Sequence, residues 1–142
     1  MAAPTITLTD AVPDDADDVI GGGLDDFNEQ QTGYRDARPL AVLVREPETG
    51  ALIGGLLGRT SYGLLFINIV FLPESLRGSG IGTEMLRRVE EEGRRRGCKS
   101  GFLFTITFQA PEFYRNHGWE EFGRIDCDPP GTARVFFRKR FD

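Results

Sequence analysis

The chain has 142 residues, 39% hydrophobic and 27% charged, with a net charge of −5; this is the makeup of one globular domain, residues 1–142, around a single core. No apolar run reaches the ~18–20 residues of a membrane span, the opening MAAPTITLTD carries no signal-peptide pattern, and an acidic chain suits nucleic acid poorly. The expectation is therefore a cytoplasmic protein with neither membrane nor nucleic-acid partner. One histidine and two distant cysteines, Cys98 and Cys127, match no metal-ligand spacing, so no metal is expected and both cysteines read as free thiols.

TITLT, residues 5–9, alternates β-branched residues with others and predicts a strand. PDDADDVIGGGLDDFNEQ opens on proline and aspartate, good helix-start residues, and Val19, Ile20, Leu24 and Phe27 recur at helical spacing. Gly21, Gly22 and Gly23 interrupt them. At about 1 kcal/mol per interior glycine relative to alanine, the run predicts a break between two short helices. From Asp10 to Asp36 there are nine acids and one base, Arg35, so this segment is −8 and the rest about +3. It reads as a solvated face or, alternatively, as an attractor for a cationic substrate.

LAVLVRE, a turn at PETG and ALIGGLLGRTSYG predict a β-hairpin running into a third strand, LLFINIVFL, apolar enough to be covered on both faces. A glycine-rich turn follows. Ile81, Met85, Leu86 and Val89 then mark one face of a helix, which RRRGC ends with basic residues and a glycine. SGFLFTITF is a strand, QAPEFYRNHG a short helix, WEEFGRID and ARVFFRKRF two strands joined by the turn DPPGT. Hairpins followed by a β-α-β unit give an α/β fold with a mixed sheet.

The turn before the long helix, PESLRGSGIGTEMLRR, has the makings of an anion site. The first N–H groups of a helix have no intrahelical partner, the dipole is positive there, and glycines let the backbone approach a phosphate. There is no lysine after Gly82, which excludes a Walker loop, and the third glycine is misplaced for a dinucleotide fingerprint. The alternative reading is a tight β–α connection that binds nothing.

Arg77-x-x-Gly80-x-Gly82, with Gly78 between, resembles the coenzyme A diphosphate loop of the GCN5-related N-acetyltransferase (GNAT) superfamily. QAPEFYRNHGW, Gln109 to Trp119, resembles that family's second signature, A-x-x-F-Y-x-x-x-G-[FYW]. The two stand in the family's order, and the order of elements follows the family over nearly the whole chain. The resemblance implies a GNAT-like sheet of six to seven strands with about four helices and splayed central strands. The implied activity is an acetyl-CoA-dependent N-acetyltransferase, moving an acetyl group to a primary amine of a small molecule or protein by direct attack in a ternary complex. Two other readings stay open: a CoA-binding regulatory module without catalysis, and an interaction domain whose glycine turn is purely structural.

The resemblance also carries roles to positions. Pantetheine would lie against the splayed strand at Ile69, Val70, Phe71 and Leu72, with a backbone N–H near Phe71 as oxyanion donor. The diphosphate would sit on backbone N–H groups from Arg77 through Gly78, Ser79, Gly80, Ile81 and Gly82 to Thr83, with Arg77 adding charge or only ordering the turn. Tyr114 would be the general acid for the leaving thiolate, or else a core aromatic. Many members carry a base on the strand that here reads LLFINIVFL, and this strand has no acid. Glu29 takes the place as candidate base, with Asp25, Asp26 or water as alternatives. Asn28, Asn68, Thr105 and Thr107 are candidate acceptor contacts. His117, at the end of the short helix, reads as a structural residue, and Trp119 as core. Family habits of pairing through sheet edges leave a homodimer open, with ARVFFRKRF as the edge; its basic residues would equally guard that edge.

Overall fold

The computed structural model describes residues 2–142. The chain divides into two units, one running up to Arg35 and the other from Asp36 to Asp142.

In the first unit a π-helical turn, Asp17–Gly21, leads straight into an α-helix, α1 (Gly22–Thr32). The expected break at the three glycines is not there. The backbone stays right-handed helical through Gly21 (φ −66°) and Gly22 (φ −62°), and only the hydrogen-bond pattern changes. The glycine cost is a preference of about 1 kcal/mol per residue, too small to stop a helix by itself. α1 ends at Gly33, whose left-handed φ of +84° is the usual glycine stop. Residues 5–9 form no strand, contrary to the alternation of TITLT. Strand propensity is a fit to a pleated, half-buried surface, and this segment has no ladder partner among the described residues.

The second unit holds β1 (Arg38–Arg45), β2 (Leu52–Ser61), β3 (Leu64–Phe71), α2 (Ile81–Arg95), β4 (Ser100–Ile106), α3 (Pro111–Asn116), β5 (Glu120–Cys127) and β6 (Thr132–Arg140). The six strands form one mixed sheet in the order β1-β2-β3-β4-β6-β5. β3 and β4 run parallel, joined through α2; the other neighbours are antiparallel. This is the α/β fold expected, with six strands.

Alternation builds the core. Leu65 and Ile67 of β3, Leu56 of β2, Leu103 of β4 and Val135 and Phe137 of β6 are buried against Met85, Leu86 and Val89 of α2. β2 reads GG-LL-G because the strands approach closely. A Cβ on Gly55, whose φ is +144°, would stand 2.2 Å from the Val42 carbonyl, and one on Gly58 2.4 Å from the Phe66 carbonyl. α2 is tied to the sheet by Arg96, which donates to the carbonyl of Pro39 (3.1 Å) and the buried hydroxyl of Thr60 (3.1 Å) while pairing with Glu92 (2.8 Å).

The feature that positions the site is a bulge. Leu57 faces Ile69 and the next residue, Gly58, faces Ile67, so Asn68 is an extra residue on β3. A bulge bends its strand and increases the local twist. The β3–β4 ladder accordingly ends where the bulge begins: it pairs Leu64–Ile67 with Ser100–Leu103 and goes no further. Beyond it β3 continues along β2 and β4 continues along β6, so the two central strands splay.

Candidate active site

Where β3 and β4 part, the backbone of Asn68–Phe71 on the β4 side has no strand partner among the described residues. The Phe71 carbonyl faces β2, since it lies 2.7 Å from where a Gly54 Cβ would stand. Backbone groups alternate along a strand, which turns those of Val70, rather than Phe71, toward the opening.

At the end of β3 the chain passes through Leu72, a 3₁₀ turn at Glu74–Leu76 and the glycine turn. Gly78 and Gly80 have φ of +75° and +89°, and neither would meet a neighbour through a Cβ. Backbone conformation, not space, requires glycine at both. Ser79 donates to the Leu76 carbonyl at 2.6 Å, and Arg77 Nε donates to the Leu72 carbonyl at 3.0 Å. Gly80 caps α2 with no side-chain hydrogen bond. Among the described residues the N–H groups of Ile81, Gly82 and Thr83 have no acceptor, which leaves a row of donors at the positive end of a helix of 15 residues. The acid in the first turn, Glu84, is held by Arg87 and Arg88 at 2.6 Å each. Hydrogen bonds from Arg87 and then Arg88 depress its carboxyl to about 2, so its charge is offset beside a site that would hold an anion.

The two signature stretches touch. A Cβ on Gly82 would meet the Phe113 ring at 3.4 Å. Thr83 Oγ1 lies 3.0 Å from His117 Nε2, and His117 Nδ1 lies 2.7 Å from the Phe113 carbonyl. Pro111 starts α3, and the next turn presents Phe113 and Tyr114.

Tyr114 is buried, 6% exposed, with its ring against Trp119 and Phe137. Its hydroxyl bonds to no described residue, yet no fully buried side-chain polar atom lacks a partner, so the oxygen reaches the surface. Burial pushes the phenol up to about 12, which keeps it protonated at neutral pH and able to donate.

The candidate acceptor contacts fall in different places. Asn68 is the exposed bulge residue. Thr107 Oγ1 accepts the Ala133 N–H at 3.1 Å and keeps its own proton free to donate. Thr105 is buried and donates to Gln109 Oε1 at 3.0 Å, which also accepts the Ile106 N–H. Asn28 and Glu29 lie on α1, in the first unit; the Asn28 carbonyl accepts the Thr32 hydroxyl at 2.8 Å, and Glu29 lies 3.6 Å from Arg35, which also holds Asp26. No carboxylate lies on β3. The open groove between β1 and α2 is not a rival site, because its Arg87 and Glu91 are already paired with each other at 2.6 Å.

Sequence reasoning missed two elements. Asn68 gives no sign of being a bulge, because a bulge is a relation between two strands. The Thr83–His117 contact joins residues 34 apart, and no local pattern links them. No helix among the described residues is long and apolar enough to cross a membrane.

Comparison with known proteins bears on the family and the fold. A family model described as the acetyltransferase (GNAT) family matches residues 10–119. Acetyltransferase Atu2258 of Agrobacterium fabrum is 31% identical over 134 residues, 94% of this chain and 97% of that one. Blasticidin-S acetyltransferase of Streptomyces morookaense is 33% identical over 107 residues, 73% of this chain and 79% of that one. A solved structure from Agrobacterium tumefaciens superposes with a TM-score of 0.87 at 30% identity, covering 97% of this chain and 100% of that one.

Proposed function

We propose, from the premise that this chain belongs to the GNAT family of acetyltransferases, that it transfers an acetyl group from acetyl-CoA to a primary amine, with residues 1–142 acting as one catalytic domain. The observation that carries this is the row of unpaired N–H groups at the start of α2, placed just beyond the point where β3 leaves β4.

The diphosphate of acetyl-CoA is bound by the turn from Arg77 to Thr83, through backbone donors that need no lysine. Pantetheine lies along Val70 to Leu72 and completes the interrupted ladder as an added strand would. The amine nitrogen attacks the thioester carbonyl. The Val70 N–H, next to Phe71, donates to the developing oxyanion. When the tetrahedral intermediate collapses, the C–S bond breaks and Tyr114 gives its proton to the thiolate. The attacking amine loses its proton to water, since β3 offers no acid. Asn68 and Thr107 contact the acceptor, and Thr105, held by Gln109, supports them from the core side. The 33% identical relative that is named for blasticidin-S supports a small-molecule acceptor over a protein. The acidic segment from Asp10 to Asp36 favours a cationic one. The cytoplasm, where acetyl-CoA is available, is the compartment that fits.

Thiol release from acetyl-CoA across a panel of small cationic amines tests the reading. Turnover with at least one amine, lost without acceptor, is expected. Tight CoA binding with no turnover on any amine or on basic peptides would favour a CoA-binding module instead, a reading that the acid-free β3 makes specific.

A further inference from the structure

Thr83 and His117 form a hydrogen bond whose direction is fixed by a third group. His117 Nδ1 lies 2.7 Å from the Phe113 carbonyl, which can only accept, so Nδ1 carries a proton. In the neutral ring Nε2 is then bare, and it accepts the Thr83 hydroxyl proton across 3.0 Å. That proton is engaged by the imidazole. Thr83 is nonetheless the third residue of α2, where the unpaired N–H groups converge.

A diphosphate is an acceptor only, so it needs the Thr83 proton turned round. A second proton on His117 does this. Nε2–H then donates to Thr83 Oγ1, and the hydroxyl hydrogen is released toward a phosphate oxygen. The added proton comes from solvent, and no other bond changes. We propose that His117 is a positioning residue for Thr83 that takes up a proton when a diphosphate-bearing ligand binds, so that ligand affinity is linked to pH. The proposal rests on the reading that the turn from Arg77 to Thr83 holds the CoA diphosphate.

The surroundings permit the charge. His117 caps the C-terminal end of α3, where a cation is favoured. The charged groups around it are offset: Lys139 of β6 donates to the His117 carbonyl at 2.8 Å but is paired with Glu90 at 2.7 Å. Glu84, next to Thr83 on α2, is paired with Arg87 at 2.6 Å, and Arg115, two residues before His117 in sequence, with Glu121 at 2.6 Å. A bound anion at the turn adds negative charge beside Thr83 and draws the proton in.

The test is calorimetric titration of the protein with CoA between pH 7 and 8, repeated in buffers of different ionisation enthalpy. A merely structural histidine would not make the heat buffer-dependent. The expected result is proton uptake approaching one per CoA bound and an affinity that falls several-fold from pH 7 to pH 8. His117→Gln should bind CoA with no histidine-linked uptake and a flat pH profile. Thr83→Val, which leaves the histidine in place, should also lose the uptake, and it keeps the test decisive if the Gln variant fails to fold. CoA binding by the unaltered protein without buffer dependence would overturn the proposal, as would undiminished uptake in both variants. No CoA binding at all would instead overturn the CoA reading on which the proposal rests.

Discussion

Arg77 Nε donates to the Leu72 carbonyl at 3.0 Å, which fastens the anion turn to the last residues of the splayed strand. The two halves of the proposed cofactor site, the strand for pantetheine and the turn for diphosphate, are thereby held in one geometry. Replacing Arg77 by alanine removes this exposed tie, which contributes little to stability, together with a positive charge beside the proposed diphosphate. Acetyl-CoA binding should weaken roughly 10- to 100-fold while the melting temperature changes little. A titration of the variant with acetyl-CoA measures this directly.

Tyr114→Phe separates chemistry from binding. The ring packing against Trp119 and Phe137 is kept, and only the proton donor is lost. kcat should fall by about 100-fold or more, with KM for acetyl-CoA nearly unchanged. An unaltered kcat would remove Tyr114 from the mechanism.

The same substitution has a stability signature at high pH. The Tyr114 phenol is raised from an ordinary 10 to about 12 by burial. Between those values the unfolded phenol ionises while the folded one stays neutral, so stability falls as pH rises through this window, by up to about 2–3 kcal/mol. Urea melts at pH 8 and pH 11 should show a smaller loss in Tyr114→Phe than in the unaltered protein.

Arg96 anchors α2 to β1 and β2, and Thr60, whose hydroxyl it satisfies, is buried. Arg96→Met keeps the apolar stem but leaves Thr60 and the Pro39 carbonyl without this donor. A loss of about 2 kcal/mol is expected, read as a lower urea midpoint with the same slope.

Glu90 is buried, holds Lys139 at 2.7 Å and accepts the Trp119 indole N–H at 3.3 Å. Removing Glu90 costs both contacts, while Lys139, whose side chain is 23% exposed, keeps partial access to water, so the expected cost is about 2 kcal/mol. Glu90→Ala should lose that much stability, and Trp119 fluorescence reports the transition. The double variant Glu90→Ala with Lys139→Met should recover part of it.

Much of this was legible beforehand because it is local. The apolar run LAVLVRE before the turn at PETG, the helical spacing of Ile81, Met85, Leu86 and Val89, and the glycine stop at Gly97 are properties of single segments, and each element appears where its pattern places it. The positive φ of Gly78 and Gly80 was likewise implied by the turn. TITLT failed because a strand needs a partner that its own residues do not specify. The three glycines failed as a break because propensity yields to a continuous hydrogen-bond ladder. Asn68, Gln109 and His117 owe their roles to residues on other elements, and a one-dimensional pattern carries no trace of them.

The central claim is that the glycine turn before α2 holds the diphosphate of acetyl-CoA. Its most direct test is calorimetric titration with acetyl-CoA of the unaltered protein and of Gly80→Asp, which puts a Cβ and a carboxylate at a φ of +89°. The account predicts binding by the unaltered protein and its loss in the variant, with the circular dichroism spectrum retained. Equal binding by both, or none by the unaltered protein, would contradict it.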